Sequence, residues 1–271
     1  MIFYFSGTGN TRWVAEQIGQ ALKEELLFIP DMIREQRYSF TLHEGERIGF
    51  CLPTHGWQPP RIVRDFIRSL RFSERPSVDA HFCWALTTCG DNMGEAMTIL
   101  NKELAQKGMR AETLFSIIMP ETYVCLPMMH TDPEEKVKRK VDEASRRMSH
   151  IISTIKECRK GVVELEKGPV PMLLSYVIGS YFNRQMVNDK GFAVDTATCI
   201  QCGKCANVCP VDNIEGTPPK WLHNGQCTSC LACYHYCPVH AISKGERTKK
   251  RGQYYFRPPL TPPVGGEKGD Q

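Results

Sequence analysis

Nowhere in the 271 residues does an apolar run reach the roughly 18 to 20 residues that a membrane span needs. The opening run from Met1 to Phe5 is also too short for the apolar core of a secretory signal, so a cytoplasmic location is expected. An excess of one charge is missing as well. Thirty-four basic and 30 acidic side chains leave a formal charge of +4, which is no argument for nucleic acid. With 41% hydrophobic and 24% charged residues, neither disorder nor a membrane protein is indicated. Two phosphate-binding motifs are incomplete or absent. The loop at Gly7 and Gly9 has Arg12 where a dinucleotide fingerprint needs a third glycine, and no Gly-Lys-Ser/Thr of a P-loop occurs.

Cysteine, by contrast, is plentiful. There are 13, and eight crowd between positions 199 and 237, a grouping that points to metal rather than to disulfides.

Residues 1–160 alternate between strand and helix patterns. Apolar runs over 2–5, 47–52, 81–87 and 113–119 have strand length and end in turn-forming or hydroxyl residues, and 27–29 is a weaker candidate. Val14, Ile18 and Leu22 recur every four residues, as do Ile62, Phe66 and Leu70, and a charged helix is expected from Pro133 to about Lys160. Such alternation predicts a doubly wound parallel sheet with its ligand site beyond the carboxyl ends of the strands. Residues 161–189 read as an apolar helical connector, uncharged from Pro169 to Asn183 and expected to pack between two domains. Residues 190–246 form the cysteine module, and 247–271 a tail, basic and then rich in Pro and Gly, expected to be solvated.

Cys199, Cys202, Cys205 and Cys209 precede Pro210 in the spacing C-x2-C-x2-C-x3-C-P, and Cys227, Cys230, Cys233 and Cys237 repeat it before Pro238. An iron–sulfur cube needs four converging thiolates, and two-residue gaps let one tight loop deliver three of them. Paired C-x2-C units can also build a zinc site, but zinc needs no third cysteine two residues on. By motif and length the module resembles a bacterial-type two-cluster ferredoxin, of small α+β fold. That resemblance implies two [4Fe-4S] clusters in which the fourth cysteine crosses over. Cys199, Cys202, Cys205 and Cys237 would hold one, and Cys227, Cys230, Cys233 and Cys209 the other.

At the other end, Ile2 to Thr11 run from strand through a Gly-rich loop into a helix. Backbone N–H groups at a helix start, with hydroxyls at Ser6, Thr8 and Thr11 beside Gly9 and Asn10, make an anion cradle. Here the chain resembles flavodoxins, whose hydroxyl-rich first loop binds the FMN phosphate. The resemblance implies a flavodoxin-like fold for residues 1–160 and bound FMN. It also places the isoalloxazine ring against Pro53, Thr54, His55, Gly56 and Trp57 and against Thr88, Cys89, Gly90 and Asp91, with Trp57 expected to stack on it, the alternative being a lid residue of the domain interface. Pro120 to Tyr123 end the last strand. The order of parts resembles flavodoxin and ferredoxin fusion proteins of anaerobes over nearly the full chain.

His55 has two readings, a proton donor to reduced flavin or a hydrogen-bonding wall. Asp91 is open between a potential-lowering charge and an exposed carboxylate. Cys51, Cys83, Cys89, Cys125 and Cys158 are expected to be buried small hydrophobes, with Cys89 the one near the ring. The function expected is electron transfer between FMN and clusters, linking redox partner proteins. A flavin-dependent reductase fed by the clusters and a redox-sensing subunit are the alternatives.

Overall fold

The computed structural model describes residues 1–73 and 81–257. Six parallel strands form the sheet in the order β2-β1-β4-β6-β7-β8. They are β1 (Ile2–Tyr4), β2 (Leu26–Phe28), β4 (Ile48–Pro53), β6 (Cys83–Cys89), β7 (Thr113–Ile118) and β8 (Val163–Glu164). Helices α1 (Asn10–Leu22), α2 (Ile29–Arg34), α3 (Arg61–Ser69), α4 (Ala96–Ala105) and α5 (Glu134–Lys156) alternate with them, and β3 (Ser39–Phe40) pairs with β5 (Arg71–Phe72) beside the sheet. Ile2 faces Leu26 on one side and Gly49 on the other, so strand order reverses at β1. Crevices beyond the strand ends at such a reversal are where doubly wound sheets hold ligands.

Period-two alternation sends neighbouring side chains to opposite faces. Phe3, Phe50, Leu52, Phe66 and Leu100 build one buried layer, while Ile2, Val14, Ile18, Cys51, Trp84 and Ile151 build the other. Both faces are covered, which is why the strands read as continuous apolar runs. α5 begins after Pro133 with Glu134 and Glu135 in its first turn, where negative charge complements the helix dipole.

Three features depart from the sequence expectations. The sheet continues past residue 160, because β8 pairs in parallel with Leu114 and Phe115 of β7. The connector is helical, with π-helical turns at Leu173–Ile178 and Phe182–Met186 around Gly179–Tyr181, yet only one side of it is packed. Ser175, Gly179 and Phe182 face inward, while Met172, Leu173, Val177 and Tyr181 are 51–66% exposed. Small inward residues let the helix approach closely: a Cβ on Gly179 would lie 2.2 Å from the Gly56 carbonyl oxygen. Third, the start of the expected solvated tail is docked. The Phe256 N–H donates to the Thr8 carbonyl (2.8 Å), the Phe256 ring lies 5.2 Å from that of Trp13, and the Tyr254 hydroxyl donates to Asn10 Oδ1 (3.2 Å). The Pro- and Gly-rich part of that tail, 258–271, lies outside the described residues.

The cysteine module adds two short antiparallel pairs, β9 (Phe192–Val194) with β12 (Ile242–Lys244) and β10 (Ile214–Glu215) with β11 (Lys220–Trp221). Its apolar core is small and includes Leu231, Tyr234, Ile242, Cys205 and Cys233. Among the described residues no helix is long and apolar enough to cross a membrane.

Candidate flavin cleft and cysteine cavities

The loop after β1 turns into α1 through Gly9, whose φ of 98° suits a residue without a Cβ. Gly9 N–H donates to Ser6 Oγ (3.1 Å), and Thr11 and Thr88 share a hydroxyl–hydroxyl bond of 2.8 Å. Asn10 Nδ2 donates to the Pro120 carbonyl (3.0 Å), so the loops after β1, β6 and β7 are tied together. Thr8, Asn10 and Thr11 are buried there. The loop after β4 is a tight turn: His55 and Gln58 exchange backbone hydrogen bonds, and Gly56 and Trp57 both have positive φ (55° and 56°). A non-glycine residue in that region is uncommon. Gln58 Nε2 donates to the Ser175 carbonyl of the connector (2.6 Å).

Together these loops line an open cleft of about 220 Å³ at the carboxyl ends of the strands. Ser6, Thr8, Asn10 and Thr11 lie on one part of its wall, Pro53, Thr54, His55, Gly56 and Trp57 on a second, and Thr88, Cys89, Gly90 and Asp91 on a third. Gly9 sets the loop's turn but is not part of the lining. Burial lowers the His55 imidazole pKa to about 4, although part of its ring faces the cleft, so it is neutral at pH 7. Burial pushes the Cys89 thiol up to about 12, which makes it inert as a thiolate. The thiols of Cys51 and Cys83 are likewise buried and raised, whereas Asp91 is exposed.

Behind the cleft, Lys140 Nζ donates to the Gly90 carbonyl (2.6 Å) and pairs with Asp132 Oδ2 (2.5 Å), both side chains being buried. Asp132 also accepts from the Glu121 N–H (2.9 Å). Burial alone would raise the Asp132 pKa, but hydrogen bonds from Lys136, Lys140 and Glu121 hold it below the ordinary aspartate range.

Part of the cleft wall escaped the sequence reading. Phe182 comes from the connector, its ring 5.2 Å from that of Tyr123 and its Cδ1 2.4 Å from where a Cβ on Gly56 would lie. Thr228, Ser229, Cys230 and Leu231 come from the second cysteine loop. No local pattern could have announced these, since each arrives from a distant segment. Three buried polar atoms of the wall, Asn92 Oδ1, Tyr123 OH and Thr228 Oγ1, have no hydrogen-bond partner beyond weak sulfur contacts of Tyr123 to Cys125 and Thr228 to Cys230. A polar ligand would satisfy them.

The eight motif cysteines fall into two groups. Cys209, Cys227, Cys230 and Cys233 line one cavity, and Cys199, Cys202, Cys205 and Cys237 line another. Each cavity thus takes three cysteines from one loop and one from the other. Among the described residues no three or more His, Cys, Asp or Glu side chains converge tightly enough to hold a single ion. The two loops also share a strained backbone. Gln201 and Ser229 (φ 56° and 50°), Gly203 and Leu231 (69° and 60°), and Asp212 and His240 (48° and 53°) occupy matched positions in the left-handed region. Strain repeated residue for residue marks a conformation held for a purpose. It turns amides inward: Asn213 N–H donates to Cys209 Sγ (3.3 Å), Ala241 N–H to Cys237 Sγ (3.2 Å) and Ser229 N–H to Cys227 Sγ (3.4 Å). Burial pushes the Cys230 thiol up to about 12 and the Cys233 thiol well above its ordinary value. Thiols so placed ionise against a bound metal's positive charge.

A doubly wound sheet with a hydroxyl-lined cleft at its switch point is thus joined to a duplicated cysteine module. Residues 1–146 match a family model described as "Flavodoxin domain", more than half of the chain, and the chain belongs to that family. Residues 192–215 match a second model, "4Fe-4S binding domain". Over 54 residues the chain is 37% identical to a "Ferredoxin" of Streptomyces griseus, covering 20% of this chain and 51% of that one. Over 56 residues it is 39% identical to a "Ferredoxin" of Alicyclobacillus acidocaldarius subsp. acidocaldarius, covering 20% of this chain and 72% of that one. The match therefore spans about half of the first relative. Among solved structures, "The Structure of Trp Repressor Binding Protein from Bacillus subtilis" is similar at TM-score 0.32 and 16% identity, over 54% of this chain and 95% of that one. The "Metal soaked Flv1 flavodiiron core from Synechocystis sp. PCC6803" is similar at TM-score 0.32 and 17% identity, over 57% and 36%.

Proposed function

We propose that the chain is a relay in which FMN bound in the cleft exchanges electrons with two [4Fe-4S] clusters held by the two cysteine groups, linking redox partner proteins. Its working units are then the flavin domain of residues 1–160 together with the β8 strand at Val163–Glu164, the rest of the 161–189 connector, and the two-cluster domain of 190–246. One observation carries this reading. The second cysteine loop is itself part of the flavin cleft: a Cβ placed on Gly7 would lie 2.7 Å from Cys230 Cβ and 3.4 Å from its Sγ. Any side chain at position 7 would push the cysteine loop off the anion cradle.

The donor sets suit both groups. Ser6, Thr8, Thr11 and the start of α1 offer donors to a phosphate dianion, and Asn92, Tyr123 and Thr228 are among the residues lining the cleft. Eight soft thiol ligands on loops with inward N–H groups suit iron–sulfur cubes. When bound, a flavin takes two electrons and releases them singly, while a cube passes one. The protein's own part is positional. Lys140 and Asp132 fix the Gly90 loop, Phe182 and Tyr123 wall the cleft against water, and neutral His55 presents an imidazole without adding charge. The cluster of Cys209, Cys227, Cys230 and Cys233 is the proximal one, and that of Cys199, Cys202, Cys205 and Cys237 the distal one.

Anaerobic reconstitution followed by flavin, iron and sulfide analysis tests this. One FMN and about eight irons per chain are expected. Rapid mixing with a flavin reductant should bleach the cluster absorbance after the flavin absorbance. Chromophores that fail to exchange electrons on any turnover timescale would sink the relay.

A further inference from the structure

The two halves of the cysteine module repeat one another, but one pair of matched positions differs in charge. Seven residues after Cys209 stands Gly216, and seven after Cys237 stands Lys244. Lys244 lies on β12, opposite Phe192 of β9, and its ammonium sits 4.9 Å from the Phe192 ring centroid. Half-buried, it donates to Ser229 Oγ (2.8 Å) and to the carbonyls of Asn188 (2.8 Å) and Met186 (3.4 Å). Ser229 belongs to the proximal loop, and its own N–H bonds Cys227 Sγ. The ammonium is thus one residue away from a proximal ligand.

No carboxylate pairs with Lys244 among the described residues. Asp189, the carboxylate that feels it electrostatically, is engaged by Asn213 Nδ2 (2.8 Å), His223 N–H (2.9 Å) and His223 Nδ1 (2.9 Å). Burial lowers the Lys244 pKa, and the sulfurs of Cys125, Cys227 and Cys233 push it back up. A half-buried cation without a carboxylate partner is costly unless another anion compensates it. A cube with four thiolates is such an anion, and each one-electron reduction makes it more negative.

Building on the relay reading, we propose that Lys244 is the fixed counter-charge of the proximal cluster, so that this cluster has the higher reduction potential of the two. At the matched position the distal half has Gly216, and Lys204, which lines the distal cavity, is exposed, so water screens its charge. An electron leaving the flavin therefore settles first beside Lys244 and goes on to the distal cluster only when a partner draws it.

Anaerobic redox titration of the holoprotein, followed by the EPR signal of the reduced clusters, tests this. Wild type should show two one-electron cluster steps. Lys244→Gln keeps a hydrogen-bonding group near Ser229 and removes the charge. It should shift the higher step downward by at least tenfold in its equilibrium constant, about 59 mV, and leave the lower step in place. Lys244→Arg should restore it, and Lys204→Met should leave the higher step unmoved. Two unshifted steps in Lys244→Gln, or an equal shift of both, would overturn the proposal while leaving the relay intact. If Lys244→Gln loses a cluster, Lys244→Arg decides: a wild-type higher step supports the counter-charge, and a step lowered as far as the tenfold shift overturns it. Wild type with a single cluster would overturn both relay and inference.

Discussion

The sheet half and the cysteine half are held together by different means. The sheet half buries two apolar layers, with Phe3, Phe50, Phe66 and Leu52 on one face and Ile18, Trp84, Phe115 and Ile155 on the other. The cysteine half has two-stranded ribbons of two or three residues, helices of four, and a core in which thiols stand beside a few apolar side chains. Area burial alone stabilises the first, whereas a module so small needs cross-links or metal. The same chain therefore joins a region built on two excluded-water layers to one whose small core is shared between apolar side chains and thiols.

That contrast can be broken or sharpened by substitution. The largest effect is expected from Cys209→Ser, which removes one ligand from a cavity otherwise built by the second loop. At least half the iron should be lost and the module opened to protease, while the far-UV circular dichroism of the sheet half persists. Full iron retention would contradict the interleaved assignment. Next comes Phe66→Ala, a fully buried ring between the sheet and α3. It should cost about 3–5 kcal/mol in chemical denaturation of the sheet half, with the cluster absorbance untouched in native buffer. A loss below about 1 kcal/mol would show the layer to be less well packed than it looks.

A smaller, pH-dependent effect is expected at Asp132. Its folded pKa is depressed, so its stabilisation is present at neutral pH and is lost as pH falls from the unfolded value of about 3.9 through the lower folded one. Acid titrations of the denaturation midpoint should be flatter for Asp132→Asn, and identical slopes in variant and wild type would refute the linkage. Smallest is Tyr254→Phe, which deletes the bond to Asn10 Oδ1 and should cost about 0.5–1.5 kcal/mol. Hydrogen exchange at the Phe256 amide reads it directly, and unchanged exchange there would mean that the Tyr254 hydroxyl does not hold this segment in place.

Much of this molecule was legible because its signals are local. The anion cradle is a run of consecutive residues, Ser6 to Thr11, and the cysteine spacing is a property of two short loops. The main strands could be read from short apolar runs because both faces of the sheet are covered. What stayed hidden depends on contacts between distant segments. Val163 and Glu164 are too few to form a pattern and are a strand only because β7 offers an open edge. The connector's uncharged run suggested a buried helix, yet its inward positions are the small Ser175 and Gly179, which let the backbone approach closely. Composition gave residues 251–257 to solvent, but Tyr254 N–H bonds His235 Nδ1 (3.1 Å) and Phe256 N–H bonds Thr8, so the strap bridges both halves. The spacing sets Lys244 against Gly216, but only the fold brings its ammonium to Ser229 of the other half.

The exchange of Cys209 and Cys237 between the two cavities also bears on how the chain is made. Synthesis runs from the amino end, and the sheet half leaves the ribosome long before the cavity begun by Cys199 can receive Cys237. Neither cavity closes early. On the proposed reading, iron and sulfide would be inserted only late, into a module already tethered to a finished sheet half, and a nascent chain stalled before Cys237 would carry Cys199, Cys202 and Cys205 as three open thiols in search of a fourth.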